Sequence, residues 1–145
     1  MSDPIEVEIV EAIRERMEDE GFDVFLGTFV DPDQVSLPAA VVQMTEDGIR
    51  QIEQRFPAKA EMSIACDLWY RIDQKTDEHL MIQGLRLCRQ VRDALVQRPP
   101  KDRPDTLGSL ADKIEHEQTV VMTEDQQSTI GLAQVTITVT YYDED

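Results

Sequence analysis

Apolar residues recur along this chain with two different periods, and the changes between them divide it into helices and strands. Ile5, Ile9, Ile13 and Met17 repeat every four residues with Val10 beside them, while Glu8, Glu11, Arg14, Glu15, Arg16 and Glu18 occupy the other faces. This is the pattern of an amphipathic helix. Asp3 is placed to cap it, Pro4 suits the first helical position, Glu6 completes a capping-box spacing, and Gly21 suits a left-handed stop. Residues 22–26 read as a short strand, 31–34 as a turn, and 37–44, centred on Val41 and Val42, as a buried strand. Glu46-Asp47-Gly48 is a turn signal, after which residues 49–56 read as a further, more polar strand.

The period then becomes two. Over residues 58–71, Ala60, Met62, Ile64, Cys66, Leu68 and Tyr70 fall on one face, and Lys59, Glu61, Ser63, Asp67, Trp69 and Arg71 on the other. A long, half-buried strand follows from that alternation. A second helix is predicted over residues 77–97. Its stripe is Leu80, Gly84, Cys88, Val91 and Leu95, widened by Met81, Leu85 and Leu87. Three prolines in residues 99–104 end it in a loop. Residues 106–112 read as a single helical turn, and 114–122 and 130–142 as two strands around a polar turn. In the last strand Ala133, Val135, Ile137, Val139 and Tyr141 alternate with Gln134, Thr136, Thr138 and Thr140. The threonine row is either an exposed face or a surface for strand pairing between subunits.

Helix, strands, helix and strands, joined mostly by short turns, predict one α+β domain over residues 1–145. It is a two-layer sandwich, with a mainly antiparallel sheet packed against two main helices. At 145 residues with 41% hydrophobic content the chain can build one core.

Charge narrows the function. Thirty Asp and Glu stand against 14 Lys and Arg, a net charge of −16. Direct nucleic-acid binding and an electrostatic hold on anionic lipid are therefore disfavoured. The start Met1-Ser2-Asp3-Pro4 has no basic, apolar leader, and no stretch reads as a membrane span, so a cytosolic start is expected. The excess is uneven: residues 50–103 carry a net +3 and the rest a net −19. That division suits a subunit that stacks on copies of itself, although it is also what solvated surfaces can show.

Catalytic and metal motifs are missing from the sequence. Cys66 and Cys88 form no Cys-x-x-Cys pair and fall on apolar faces, as small buried hydrophobes do. His79 lacks a second His four residues on. His116 is expected at the surface and, on a strand, points away from Glu115 and Glu117. A calcium loop starting at Asp31 would need Gly at position 36 and Glu at position 42, where the chain has Ser36 and Val42. No catalytic residue, cofactor or metal is expected, and the chain is read as a non-enzyme.

What remains is surface. Trp69, flanked by Asp67 and Arg71, has the chemistry of an interface anchor, with second-layer core as the competing reading. Phe56 with Arg50 and Arg55 forms a weaker cluster of the same kind. Trp69, Arg71, Phe56, Arg50 and Arg55 are the candidate contacts with another subunit or a tube.

The order of these pieces resembles the tail terminator family of long-tailed bacteriophages, the lambda-type minor tail protein U group. The resemblance lies in the helix over residues 5–17, the Phe-rich short strand with its acidic turn, and Leu37-Pro38-Ala39-Ala40-Val41-Val42. It continues through the long strand of residues 62–70, the following helix, and the closing run Ile137-Thr138-Val139-Thr140-Tyr141-Tyr142. The chain departs from the family in the proline loop and in its acidity. The resemblance implies a homohexameric ring that caps the tail tube, stops tube polymerisation and joins a head or neck completion protein. It would be assembled in the host cytoplasm and sit in the virion at the head-proximal end of the tail. Genomic DNA would pass its lumen without specific binding, and no membrane would be involved. Another neck or completion ring, or an acidic inhibitor that imitates DNA, are the alternatives.

Overall fold

The computed structural model describes residues 3–27, 31, 34–55, 58–71, 80–96, 107, 110–122 and 130–143. Phe56, His79, the expected first turn of the second helix and the proline segment lie outside them. The element order is α1 (Ile5–Asp19), β1 (Asp23–Leu26), β2 (Ala39–Glu53), β3 (Ala58–Arg71), α2 (Leu80–Leu95), β4 (Lys113–Val121) and β5 (Ile130–Asp143). The five strands make one sheet in the order β1-β2-β3-β5-β4. Both helices pack on the same face of it, giving the α+β sandwich the sequence predicts.

Helix α1 buries Ile9, Ile13 and Met17 completely, each side chain contributing roughly 1.5–3 kcal/mol relative to exposure. Its start differs from expectation. Pro4 is the N-cap, with ψ 150°, and its carbonyl accepts from the amides of Val7 (3.0 Å) and Glu8 (3.4 Å). Asp3 therefore stands one position too early, and no side chain caps the helix. The stop is as predicted. Gly21 has φ +96°, its N–H reaches Glu18 O, and the Phe22 N–H reaches Met17 O, which is a Schellman pattern.

The sheet departs from the sequence expectation in two places. β1 pairs with β2 in parallel, Asp23 opposite Ala39 and Leu26 opposite Val42. The connection between them is about a dozen residues, long enough to carry the chain back to the same end. Within it, the Gln34 N–H donates to Asp31 O, closing the predicted turn. Second, β2 runs unbroken through Glu46-Asp47-Gly48. The turn signal becomes an irregularity in which the register to β3 shifts between Met44 and Ile49, with Gly48 at φ +57°. Continuous pairing with β3 on both sides holds the strand together.

β3 and β5 pair along their full lengths, Ala58 opposite Asp143 and Arg71 opposite Ile130. Their helix-facing rows, Met62 to Tyr70 and Ala133 to Tyr141, form the centre of the core with Cys88, Val91 and Leu95 of α2. Gln90 donates to Glu20 O and Oε2, and Arg16 to Ala94 O, tying the two helices side by side. On α2 only part of the predicted stripe is buried. Met81 and Leu85 are exposed, and β4 is the edge strand of the sheet among the described residues. Of the expected turn at 106–112, Leu107 is buried with φ 56° and its carbonyl accepts from the Leu110 N–H at 3.4 Å. No helix among the described residues is long and apolar enough to cross a membrane.

Candidate interaction surface

Alternation along a strand sends every second side chain away from the helices. On β3 these are Lys59, Glu61, Ser63, Ala65, Asp67, Trp69 and Arg71, and on β5 they are Ile130, Leu132, Gln134, Thr136, Thr138, Thr140 and Tyr142. Among the described residues no helix lies over this face. Its centre is nonetheless closely screened: Ser63, Ala65, Thr136 and Thr138 are buried, and Thr140 is 0% exposed. The threonine row is thus a buried floor rather than an exposed one. Thr138 donates its hydroxyl to Glu117 of β4, whereas the Ser63 and Thr140 hydroxyls make no hydrogen bond among the described residues.

A polar clamp crosses three strands on the same face. Asp67 accepts from Gln43 of β2 (2.9 Å) on Oδ2 and from Gln134 of β5 (2.7 Å) on Oδ1. At one end of the face Lys59 pairs with Asp112 (3.5 Å) and stands 5.6 Å from the centre of the Tyr142 ring.

The sequence-predicted candidates separate into two groups. Trp69 is half-buried between its cross-strand neighbours Ala39 and Leu132, on the helix-free face as expected. Arg71 ends the same strand, is exposed, and borders a groove of about 320 Å³ with Leu37, Pro38, Gln83, Arg86 and Leu87. Arg50 lies near the far end of the sheet, bound to Glu61 at 3.1 Å. It lines a polar hollow of about 190 Å³ with Asp47, Ser63 and Glu117. Arg55 is exposed just beyond β2. Glu61 and Trp69 are eight residues apart on β3, so Arg50 and Trp69 are roughly 26 Å apart and do not form one patch.

The two histidine and cysteine expectations resolve differently. His116 is not a free surface imidazole. It is half-buried on the helix side of β4, its Nε2 2.7 Å from Thr119 Oγ1, and burial and the nearby Arg92 guanidinium hold its pKa below 6.5. It does face away from Glu115, and Glu117 occupies a bulge between His116 and Gln118. Cys66 and Cys88 are free and buried, and burial pushes their thiols up to about 12 and about 11. Such thiols are unreactive. The described residues contain no group of three or more His, Cys, Asp or Glu arranged to hold a metal ion.

Sequence reasoning missed the Gln43–Asp67–Gln134 clamp, which depends on register between non-adjacent segments. No protein-family model matches the chain, and no curated protein matches it.

Proposed function

We propose that this chain is a structural subunit of a virion ring, one that caps the tube of a long bacteriophage tail, terminates tube growth and offers a joining surface to the head or neck. The observation that carries the reading is the helix-free sheet face. Among the described residues no helix covers that face, whose middle is built of small side chains and whose margins carry Trp69 and paired charges. Faces of this composition suit broad docking more than enclosure of a small substrate.

Two further points support it. The element order α1-β1-β2-β3-α2-β4-β5 realises the segments on which the resemblance to tail terminators rests. The charge division, net +3 over residues 50–103 against −19 elsewhere, suits repeated head-to-tail contact between copies. The strong net negative charge would keep passing DNA from adhering to the lumen. An inhibitor that imitates DNA needs carboxylates in rows spaced like phosphates. On the helix-free face Asp67 is tied to two glutamines, Glu61 to Arg50 and Glu115 to Lys113, so these carboxylates are engaged within the sheet.

The test is addition of the purified chain to polymerising tail tube protein, followed by electron microscopy and light scattering. Shortened tubes with a ring at one end are expected. Unchanged tube length together with tight one-to-one binding to a host nuclease would replace this reading with the inhibitor.

A further inference from the structure

Two irregularities of the sheet fall on one row of the helix-free face. In β2 the register to β3 shifts between Met44, opposite Ile64, and Ile49, opposite Met62, so residues 45–48 pass Ser63 without a register partner. In β4 the shift lies between His116, opposite Ile137, and Gln118, opposite Thr136, which leaves Glu117 outside the ladder. Ser63 and Thr138 oppose each other on the central strands between the two. Bulges re-aim the side chains they carry. Here they wall in the Ser63–Thr138 pair. The polar hollow of about 190 Å³ has Asp47, Gly48, Arg50 and Glu61 on the β2 side of that floor and Glu117 on the β4 side.

The floor of this hollow has an unmet hydrogen-bonding group. Ser63 lines it and is only 7% exposed, and its hydroxyl, one bond from Cβ, makes no hydrogen bond among the described residues. A buried hydroxyl without a partner is costly, and a guest that supplies the partner removes the cost. The charge around it has one sign in excess. Asp47, Glu61 and Glu117 stand against Arg50, a net −2. Arg50 is held by Glu61 at 3.1 Å, whereas Asp47 and Glu117 form no ion pair among the described residues. The hollow therefore favours a cation over an anion.

Size narrows the guest further. The two walls belong to strands three spacings apart, about 14 Å at the backbone. No three of the described acidic groups close round a metal ion. The volume falls short of the roughly 300–1,000 Å³ of small-molecule sites and suits one side chain. We propose that this hollow receives a single basic side chain, the ammonium of Lys or the guanidinium of Arg, from a protein that docks on the helix-free face. Either group carries N–H donors and no acceptor, which matches carboxylates on two walls and an unmatched hydroxyl oxygen on the floor. Thr138 donates to Glu117 and so holds that carboxylate over the hollow. The proposal applies to any protein partner of this face and stands apart from tube capping.

Titration of the isotope-labelled chain at fixed ionic strength with N-acetyl-lysine methylamide and N-acetyl-arginine methylamide, followed by NMR, tests it. Saturating amide shifts are expected at Gly48, Ser63, Glu117 and Thr138. Tetramethylammonium, a cation without N–H donors, and N-acetyl-glutamine methylamide, a donor without charge, should give none. Asp47→Asn and Glu117→Gln, both at exposed positions, should each weaken binding roughly three- to tenfold. Ser63→Ala should weaken it too, while raising the melting temperature of the free chain, because it deletes an unmatched hydroxyl. Glu8→Gln on α1, which packs on the other face of the sheet, should leave binding unchanged. Peak dispersion reports whether each variant folds. Shifts spread over the whole acidic surface, an equal response to tetramethylammonium, or an affinity untouched by both carboxylate variants would overturn the proposal. So would calcium chloride giving the same local shifts at lower concentration, which would make the hollow a metal site.

Discussion

Tyr70 on β3 and Gly131 on β5 are directly opposed, and the tyrosine ring occupies the space a side chain at 131 would need. A Cβ there would fall 2.3 Å from Tyr70 Cζ and 2.5 Å from Cε2. The same ring reaches α2, where a Cβ on Gly84 would lie 2.6 Å from the Tyr70 hydroxyl and 2.7 Å from Val121 Cγ1. The two glycines thus set how closely α2 approaches the sheet. Gly131→Ala is expected to cost about 1–3 kcal/mol, because its clash is with ring atoms pinned inside the core. Gly84→Ala gains up to about 1 kcal/mol of helix propensity and so loses less overall. Denaturant melts in a Tyr70→Phe background separate them. Removing the hydroxyl takes away the shortest contact at 84, leaving the one with Val121 Cγ1, whereas at 131 the two shortest contacts, both with ring carbons, stay in place. Equal relief at both positions would contradict this geometry.

Thr140 tests the buried floor of the helix-free face. Its side chain is fully buried, and its hydroxyl makes no hydrogen bond among the described residues. Burying an unsatisfied hydroxyl is costly, while valine has nearly the same shape and a strong strand preference. Thr140→Val is therefore expected to raise stability by about 1 kcal/mol, read as a higher denaturant midpoint with unchanged slope. A loss of stability would mean that the hydroxyl has a partner in the folded protein.

How much of this was legible depends on how local the determinant is. β3 begins and ends where its alternation does, at Ala58 and Arg71, and the α1 stripe and the Gly21 stop are local patterns that the fold obeys. The parallel β1–β2 pair is not local, since Asp23 and Ala39 meet only through a long connection whose direction the residues do not encode. Gly48 gives the reverse lesson. Its positive φ was readable, but the same conformation serves a turn or a bulge, and pairing with β3 decided for the bulge. On the candidate surface, period two placed Trp69 and Arg71 on the correct face. That Arg50 lies at the far end follows from its register opposite Glu61, which no short-range pattern reveals.

Trp69 has one half of its behaviour set by this packing. Full burial of Trp makes truncation to Ala cost about 3–5 kcal/mol, so the half-buried ring between Ala39 and Leu132 is expected to cost the isolated chain only about 1–2 kcal/mol. Attachment to tube ends, by contrast, should weaken at least tenfold on losing an aromatic anchor. Melting of the monomer and titration of tube ends measure the two effects separately. A melting loss of the full core size with unchanged tube binding would assign Trp69 to the core.

His116 gives a pH signature. Burial on the helix side of β4 and the Arg92 guanidinium both disfavour the imidazolium, outweighing a backbone hydrogen bond at Gln118, so the folded pKa lies below 6.5. The unfolded chain, with its imidazole near 6.5, then takes up the proton first as pH falls. Stability from this group is fully present above 6.5 and is lost as pH drops through 6.5 towards the folded value. His116→Asn should remove that part of the slope, so that the difference in stability between wild type and variant is constant above 6.5 and changes only as pH falls from 6.5 towards the folded value. Arg92→Gln, which removes one of the two causes, should shrink the slope without abolishing it. Imidazole proton resonances followed through the titration give the same answer without unfolding, and a folded-state midpoint above 6.5 would contradict the burial of this ring.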